Sequence, residues 1–61
     1  MSAAGTSQVA FSLADRAEAA ARDLQSRGYR RRTRGPLLPG DVLVAQTADG
    51  FSVSWLPKTA A

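Results

Sequence analysis

Five arginines (Arg27, Arg30, Arg31, Arg32 and Arg34) fall within eight residues, with no acid among them. A guanidinium is permanently charged and presents a planar fork of donors suited to carboxylates and phosphates. If Tyr29 to Arg34 is extended, Arg30, Arg32 and Arg34 project from one face, spaced about 6.6–6.8 Å apart. That interval is close to the phosphate spacing of a single nucleic-acid strand. Tyr29, Arg31 and Thr33 take the other face. Three uses of such a ladder are open. It can contact a nucleic-acid backbone, with Tyr29, Phe51 and Trp55 stacking on bases. It can dock on an acidic protein surface. It can also simply guard an edge strand against sheet-to-sheet association.

The rest of the sequence offers little reactive chemistry. Cysteine and histidine are both absent. No disulfide or thiolate metal site can form, and the usual neutral-pH acid/base and metal ligand is missing. The acids are Asp15, Glu18, Asp23, Asp41 and Asp49. Asp15 and Glu18 suit the start of a helix, and Asp41 and Asp49 lie beside glycines in turns, where aspartate serves the backbone. The serines have no histidine base. A chain this short has little volume for a pocket of roughly 300 Å3 or more. The expectation is a non-enzymatic protein with no cofactor or metal.

Periodicity sets the elements that would carry the arginines. Gln8 to Leu13 alternates, with Val9, Phe11 and Leu13 on one face, as in a half-buried strand. Asp15 to Arg27 is rich in helix formers. Ser12 or Asp15 can cap its start, and Gly28 is the expected residue just past its end. Leu13, Ala17, Ala20, Ala21 and Leu24 form a narrow stripe, and Glu18 can pair with Arg22 one turn on. A stripe of mostly alanine requires close approach to its cover, and a sheet is the natural one. Tyr29 to Arg34 is the second strand. Gly35-Pro-Leu-Leu-Pro-Gly40 is a connection, Asp41–Thr47 the third strand, Ala48-Asp49-Gly50 a hairpin turn, and Phe51–Leu56 the fourth strand, stopped by Pro57.

The order β-α-β-β-β predicts an α+β fold, one helix packed on a three- to four-stranded sheet, with a right-handed crossover between the first two strands. Residues 8–57 form the single domain, between a frayed N-terminus (1–7) and a short tail (58–61). The expected core is Val9, Phe11, Leu13, Ala17, Ala20, Leu24, Tyr29, Val42, Val44, Phe51, Val53 and Trp55. A core of this size is marginal alone, and without disulfides a partner or a second subunit is the available support. The third or fourth strand is the expected homodimer interface, because arginine strands repel one another.

Val9-Ala-Phe-Ser-Leu13, then Ala17-Glu-Ala-Ala-Ala-Arg-Asp-Leu24, then Arg27-Gly-Tyr29 resembles one half of a ferredoxin-like βαβ unit. It is similar to the domain of the ribonuclease E inhibitor family (the B-type regulator of RNase activity) and to the SPOR family, which binds peptidoglycan. The first resemblance implies a regulator that acts by binding a protein. The similarity covers roughly residues 8 to 47 and transfers no residue roles. Leu37-Leu-Pro-Gly-Asp-Val-Leu-Val44 resembles a turn and strand of the swivelling phosphohistidine domains, whose chemistry needs the histidine this chain lacks.

The net charge of +3 is modest, and its concentration at Arg27 to Arg34 carries more meaning. No apolar run reaches the roughly 18 residues of a membrane span, no export signal is expected, and the cysteine-free composition fits the cytoplasm. The leading expectation is a small regulatory or interaction protein that binds another macromolecule through Arg27, Arg30, Arg31, Arg32 and Arg34. The partner is an acidic protein surface or, alternatively, RNA or DNA. Phe51 and Trp55 share a face with Val53 that the helix should cover, which disfavours base stacking.

Overall fold

The computed structural model describes residues 5–58. Residues 1–4 of the expected frayed N-terminus and 59–61 of the expected tail lie outside them. The elements are β1 (Ser7–Phe11), α1 (Ala14–Ser26), β2 (Arg30–Arg32), β3 (Asp41–Thr47) and β4 (Gly50–Trp55). They form one small α+β domain, a single helix on a four-stranded mixed sheet of order β1-β4-β3-β2.

β4 is antiparallel to both β1 and β3, while β2 runs parallel to β3. The hairpin β3–β4 is therefore the middle of the sheet. The helical connection carries the chain from one edge, β1, to the other, β2. Since β3 and β4 are paired on both sides, neither has a free edge, which corrects the expectation that they would form an edge-to-edge dimer interface.

Register fixes the faces. Val42 pairs with Trp55, Val44 with Val53, and Val9 with Val53 from the other side. These residues share the face under α1 with Phe11 and Phe51. Ala17, Ala21, Val42 and Val53 are fully buried, and Phe11, Ala20, Leu24, Tyr29, Val44, Phe51 and Trp55 pack around them. Ala17 and Ala21 lie one turn apart, so the helix backbone comes down close over the two valines. Burial of one valine side chain contributes about 1.5–3 kcal/mol, so a centre of two valines and two alanines is slight.

Several expected details differ. Val9 and Leu13 are not core: they are 44% and 58% exposed. β1 is an edge strand that ends at Phe11, so Val9 sits at the margin of the helix footprint and Leu13 has already left the strand. Leu13 is also the residue at the helix N-cap, with no side-chain cap. Neither Ser12 nor Asp15 fills that role, because the helix begins between them. The C-terminus follows expectation. The Tyr29 N–H donates to the Leu24 carbonyl at 3.1 Å and the Gly28 N–H to Gln25 at 3.0 Å, with Gly28 at φ +98°. This is the Schellman arrangement, which needs a residue tolerant of left-handed backbone.

Candidate interaction surface

The arginine strand is shorter than its sequence suggests. Only Arg30 to Arg32 pair with β3. Thr33 to Gly35 bend away, so Arg34 lies beyond the strand and the expected three-rung ladder has two rungs. A run ending in Gly35-Pro36 cannot extend the pairing, because proline has no N–H to give.

Parallel pairing places Arg30 beside Asp41 and Arg32 beside Leu43. The Arg30 N–H donates to the Gly40 carbonyl at 2.8 Å. Arg30 and Arg32 thus share the sheet face away from the helix, and Asp41 is on the same face between them. Arg30 Nε is 4.0 Å from Asp41 Oδ1, and Arg32 Nη1 is 3.7 Å from Oδ2. These separations exceed hydrogen-bond length. They are charge contacts that leave the donor forks free. The Arg30 side chain is 78% exposed and that of Arg32 37% exposed, while the Asp41 side chain is 1% exposed.

Asp41 is held by the turn that precedes β3. In Leu38-Pro39-Gly40-Asp41, the Asp41 N–H donates to the Leu38 carbonyl at 2.9 Å. The Leu38 N–H donates back to Asp41 Oδ2, also at 2.9 Å. Proline second and glycine third at φ +88° is the type II turn pattern. The reciprocal bonds fix the carboxylate and present Leu38, which is 56% exposed. One buried carboxylate therefore faces two cations and accepts a hydrogen bond from the main chain of an exposed leucine. The sequence shows Asp41 as a turn residue. Its burial follows from the parallel register with β2, which no local motif announces.

Arg27 and Arg31 are engaged elsewhere, and Arg34 is not. Arg31 turns to the helix face and donates two hydrogen bonds to Glu18, Nη1 to Oε1 at 3.0 Å and Nη2 to Oε2 at 2.9 Å. These bonds hold the Glu18 carboxyl below its ordinary range. The nearby charges of Arg31 and Arg22 act in the same sense, and partial desolvation opposes them. Glu18 thus takes a partner 13 residues away in the chain, with Arg22 as a lesser influence. Arg27 pairs with Asp23 at 3.3 Å on the helix surface. Arg34 is exposed and has no ion-pair partner among the described residues.

Lys58 reaches back to the helix C-terminus. Its Nζ donates to the Arg27 carbonyl at 2.9 Å and lies 5.4 Å from the centre of the Tyr29 ring. Its N–H meets the Tyr29 hydroxyl at 3.4 Å. A cation at the end where carbonyls are unpaired is favourable. Tyr29 is occupied by this contact, and Phe51 and Trp55 pack on the helix side. No aromatic ring lies on the sheet face that carries Arg30 and Arg32. The described residues enclose no pocket and hold no cluster of three or more potential metal ligands. Among the described residues no helix is long and apolar enough to cross a membrane.

Comparison with family models, with curated proteins and with solved structures finds no match to this chain.

Proposed function

We propose that this chain is a small non-enzymatic interaction protein of the cytoplasm that captures an acidic protein segment at the β2 end of its open sheet face. The observation that supports the reading is the shared foothold on Asp41: one buried carboxylate accepts a hydrogen bond from the main chain of exposed Leu38 and lies within 4.0 Å of both Arg30 and Arg32. Arginine is enriched at protein interfaces, and exposed Leu38 supplies apolar surface close by in the chain. The expected ligand is an extended segment with an apolar side chain against Leu38 and carboxylates meeting Arg30 and Arg32, with Arg34 as an outer contact.

Nucleic acid is the second reading, supported by the same arginines. It is the weaker one because the face that bears them offers no ring for a base to stack on, and stacking supplies about 1–3 kcal/mol per base in such proteins. Panning a random peptide library on the chain tests the first reading. Acidic peptides containing a large apolar residue should be enriched, and their binding should be lost both in Leu38→Ala and in the combined Arg30, Arg32, Arg34→Ala variant. Failure to enrich such peptides counts against it. Binding of single-stranded oligonucleotides whose salt dependence falls by about one phosphate contact per arginine removed would replace it with the second.

A further inference from the structure

The edge opposite the arginines is uncharged and open. β1 reads Ser-Gln-Val-Ala-Phe, with no charged residue from Ser7 to Phe11 and an exposed centre from Gln8 to Ala10. Hydrogen bonding alternates along antiparallel pairs. At the end of β4 the Leu56 N–H donates to the Asp41 carbonyl at 3.1 Å. Alternation from that bond turns Ser54 and Ser52 toward β3, and Trp55, Val53 and Phe51 toward β1. The partners of these last three are Ser7, Val9 and Phe11. Gln8 and Ala10 therefore turn their main-chain N–H and carbonyl groups outward, a template that no strand among the described residues fills.

We propose that this template is filled by β1 of a second copy, antiparallel about a two-fold axis at Val9. In that register Gln8 meets Ala10 of the second copy in a hydrogen-bonded pair on each side of the axis. Val9 meets its own counterpart in the close, non-hydrogen-bonded position, where Cα atoms approach to about 4.5 Å. Every opposed side chain is small, apolar or neutral. Three observations favour a second copy as the occupant. First, a copy carries the same net +3, so the arginine edge repels it and the uncharged edge does not. Second, Val9 and Leu13, two of the three exposed large hydrophobic residues among those described, lie on or just after this strand. Third, a core of four fully buried residues in a chain without disulfides needs further burial, and self-association supplies it. The pairing is isologous and therefore closes. It joins two four-stranded sheets end to end and leaves a guarded β2 edge at each outer margin.

Light scattering and sedimentation equilibrium over a concentration series test this. The wild-type chain should be a dimer. Ala10→Pro removes an outward N–H and leaves the bonds to β4 intact; Val9→Lys puts two like charges face to face. Each should weaken dimerisation by about tenfold or more, with the far-ultraviolet circular dichroism of the fold retained. If the proline variant does not fold, the lysine variant decides. The chain has no native cysteine, so Val9→Cys reports directly. It should cross-link to a covalent dimer under mild oxidation, whereas Thr47→Cys at the far end of β3 should not. A wild-type monomer at every concentration overturns the proposal. So does a dimer that persists in the folded lysine variant and is not trapped through Val9→Cys.

Discussion

The two edges of this sheet solve the same problem in opposite ways. Both end a ladder of hydrogen bonds and leave main-chain groups unpaired, which invites another strand. β2 is three residues long, all arginine. Its middle residue is tied to the helix by Glu18, and its flanking residues stand over buried Asp41. β1 is five residues long and uncharged, and its outward groups face no strand among the described residues. The β2 edge is thus held by side chains and repels a copy of itself. The β1 edge is held by its ladder to β4 and by Phe11 against the core, and carries no charge against another strand. One small sheet thus has a short, charged edge and a longer, uncharged one.

Substitutions that strike each edge at its support should separate the two. The largest effect is expected at Gly50, which starts β4 against the end of β1. It sits at φ +150°, and an added Cβ would run into the Phe11 carbonyl oxygen and lie 3.0 Å from Ser12 Cα. Both are backbone atoms of the same strand exit, so neither can rotate aside. Gly50→Ala should cost about 3 kcal/mol, combining overpacking and backbone strain, seen as an earlier midpoint in urea unfolding. It should also disturb β1 before β2, so amide exchange at Val9 should rise ahead of that at Arg30. Exchange rising equally at both strands would show that the edges are not separately supported.

Asp41→Ala strikes the other edge and should come next. It leaves the Leu38 N–H without its acceptor and two guanidinium groups without their counter-charge. Loss of a hydrogen bond to a charged group costs about 1.5–3 kcal/mol. The arginine separations and exposure add little to that, so about 2 kcal/mol is expected in the same urea measurement. Asp41→Asn keeps an acceptor for the Leu38 N–H and should lose about half as much. If the two variants are equally destabilised, the charge on Asp41 matters more than the turn bond, and the β2 edge is held electrostatically.

The contrast between the edges was only half legible in the sequence. The change from period two at Val9 and Phe11 to the alanine stripe, the Gly28 stop and the Asp49-Gly50 hairpin define the elements within a residue or two, because each is a local preference. Strand order is not local. The sequence does not show that β4 inserts beside β1, and this is what makes β1 an edge and exposes Val9. Arginine composition was visible, but its division was not. Alternation correctly separates Arg31 from Arg30 and Arg32, yet Glu18 becomes the partner of Arg31 only once the helix lies across the sheet. Asp41 reads as a turn residue, as it is, and becomes the organiser of the arginine face only through a parallel register. Lys58 sits outside every pattern, since its contact with the Arg27 carbonyl closes a separation of 31 residues.

That contact gives a smaller test. Lys58→Met keeps the aliphatic stem and removes the cation from the helix C-terminus and the Tyr29 ring. A cost of about 0.5–1 kcal/mol is expected, visible as a small shift of the urea midpoint that shrinks in high salt. Since Tyr29 leads directly into β2, exchange should quicken at Arg30 and remain unchanged at Val9. Equal quickening at both would make Lys58 a support of the whole domain rather than of the arginine edge.

The smallest expected effect is the pH dependence carried by Glu18. Its folded-state titration is depressed first by the two hydrogen bonds from Arg31, and then by the charges of Arg31 and Arg22 acting against partial desolvation. A carboxyl whose folded value lies below its unfolded value, ordinarily about 4.3, binds protons more readily when unfolded. Its contribution is therefore complete above the unfolded value and is lost as pH falls through the folded one. Glu18→Gln should be less stable than wild type near neutrality, and the two curves should converge on acidification through and below the ordinary glutamate range. Because only β2 is tied to Glu18, the convergence should appear in amide exchange or proton chemical shifts at Arg31 and its neighbours, with β1 unaffected. A difference that persists undiminished at acid pH would mean that the Glu18 side chain acts by packing rather than by charge. The arginine edge would then owe its position to the Asp41 foothold and the parallel ladder alone.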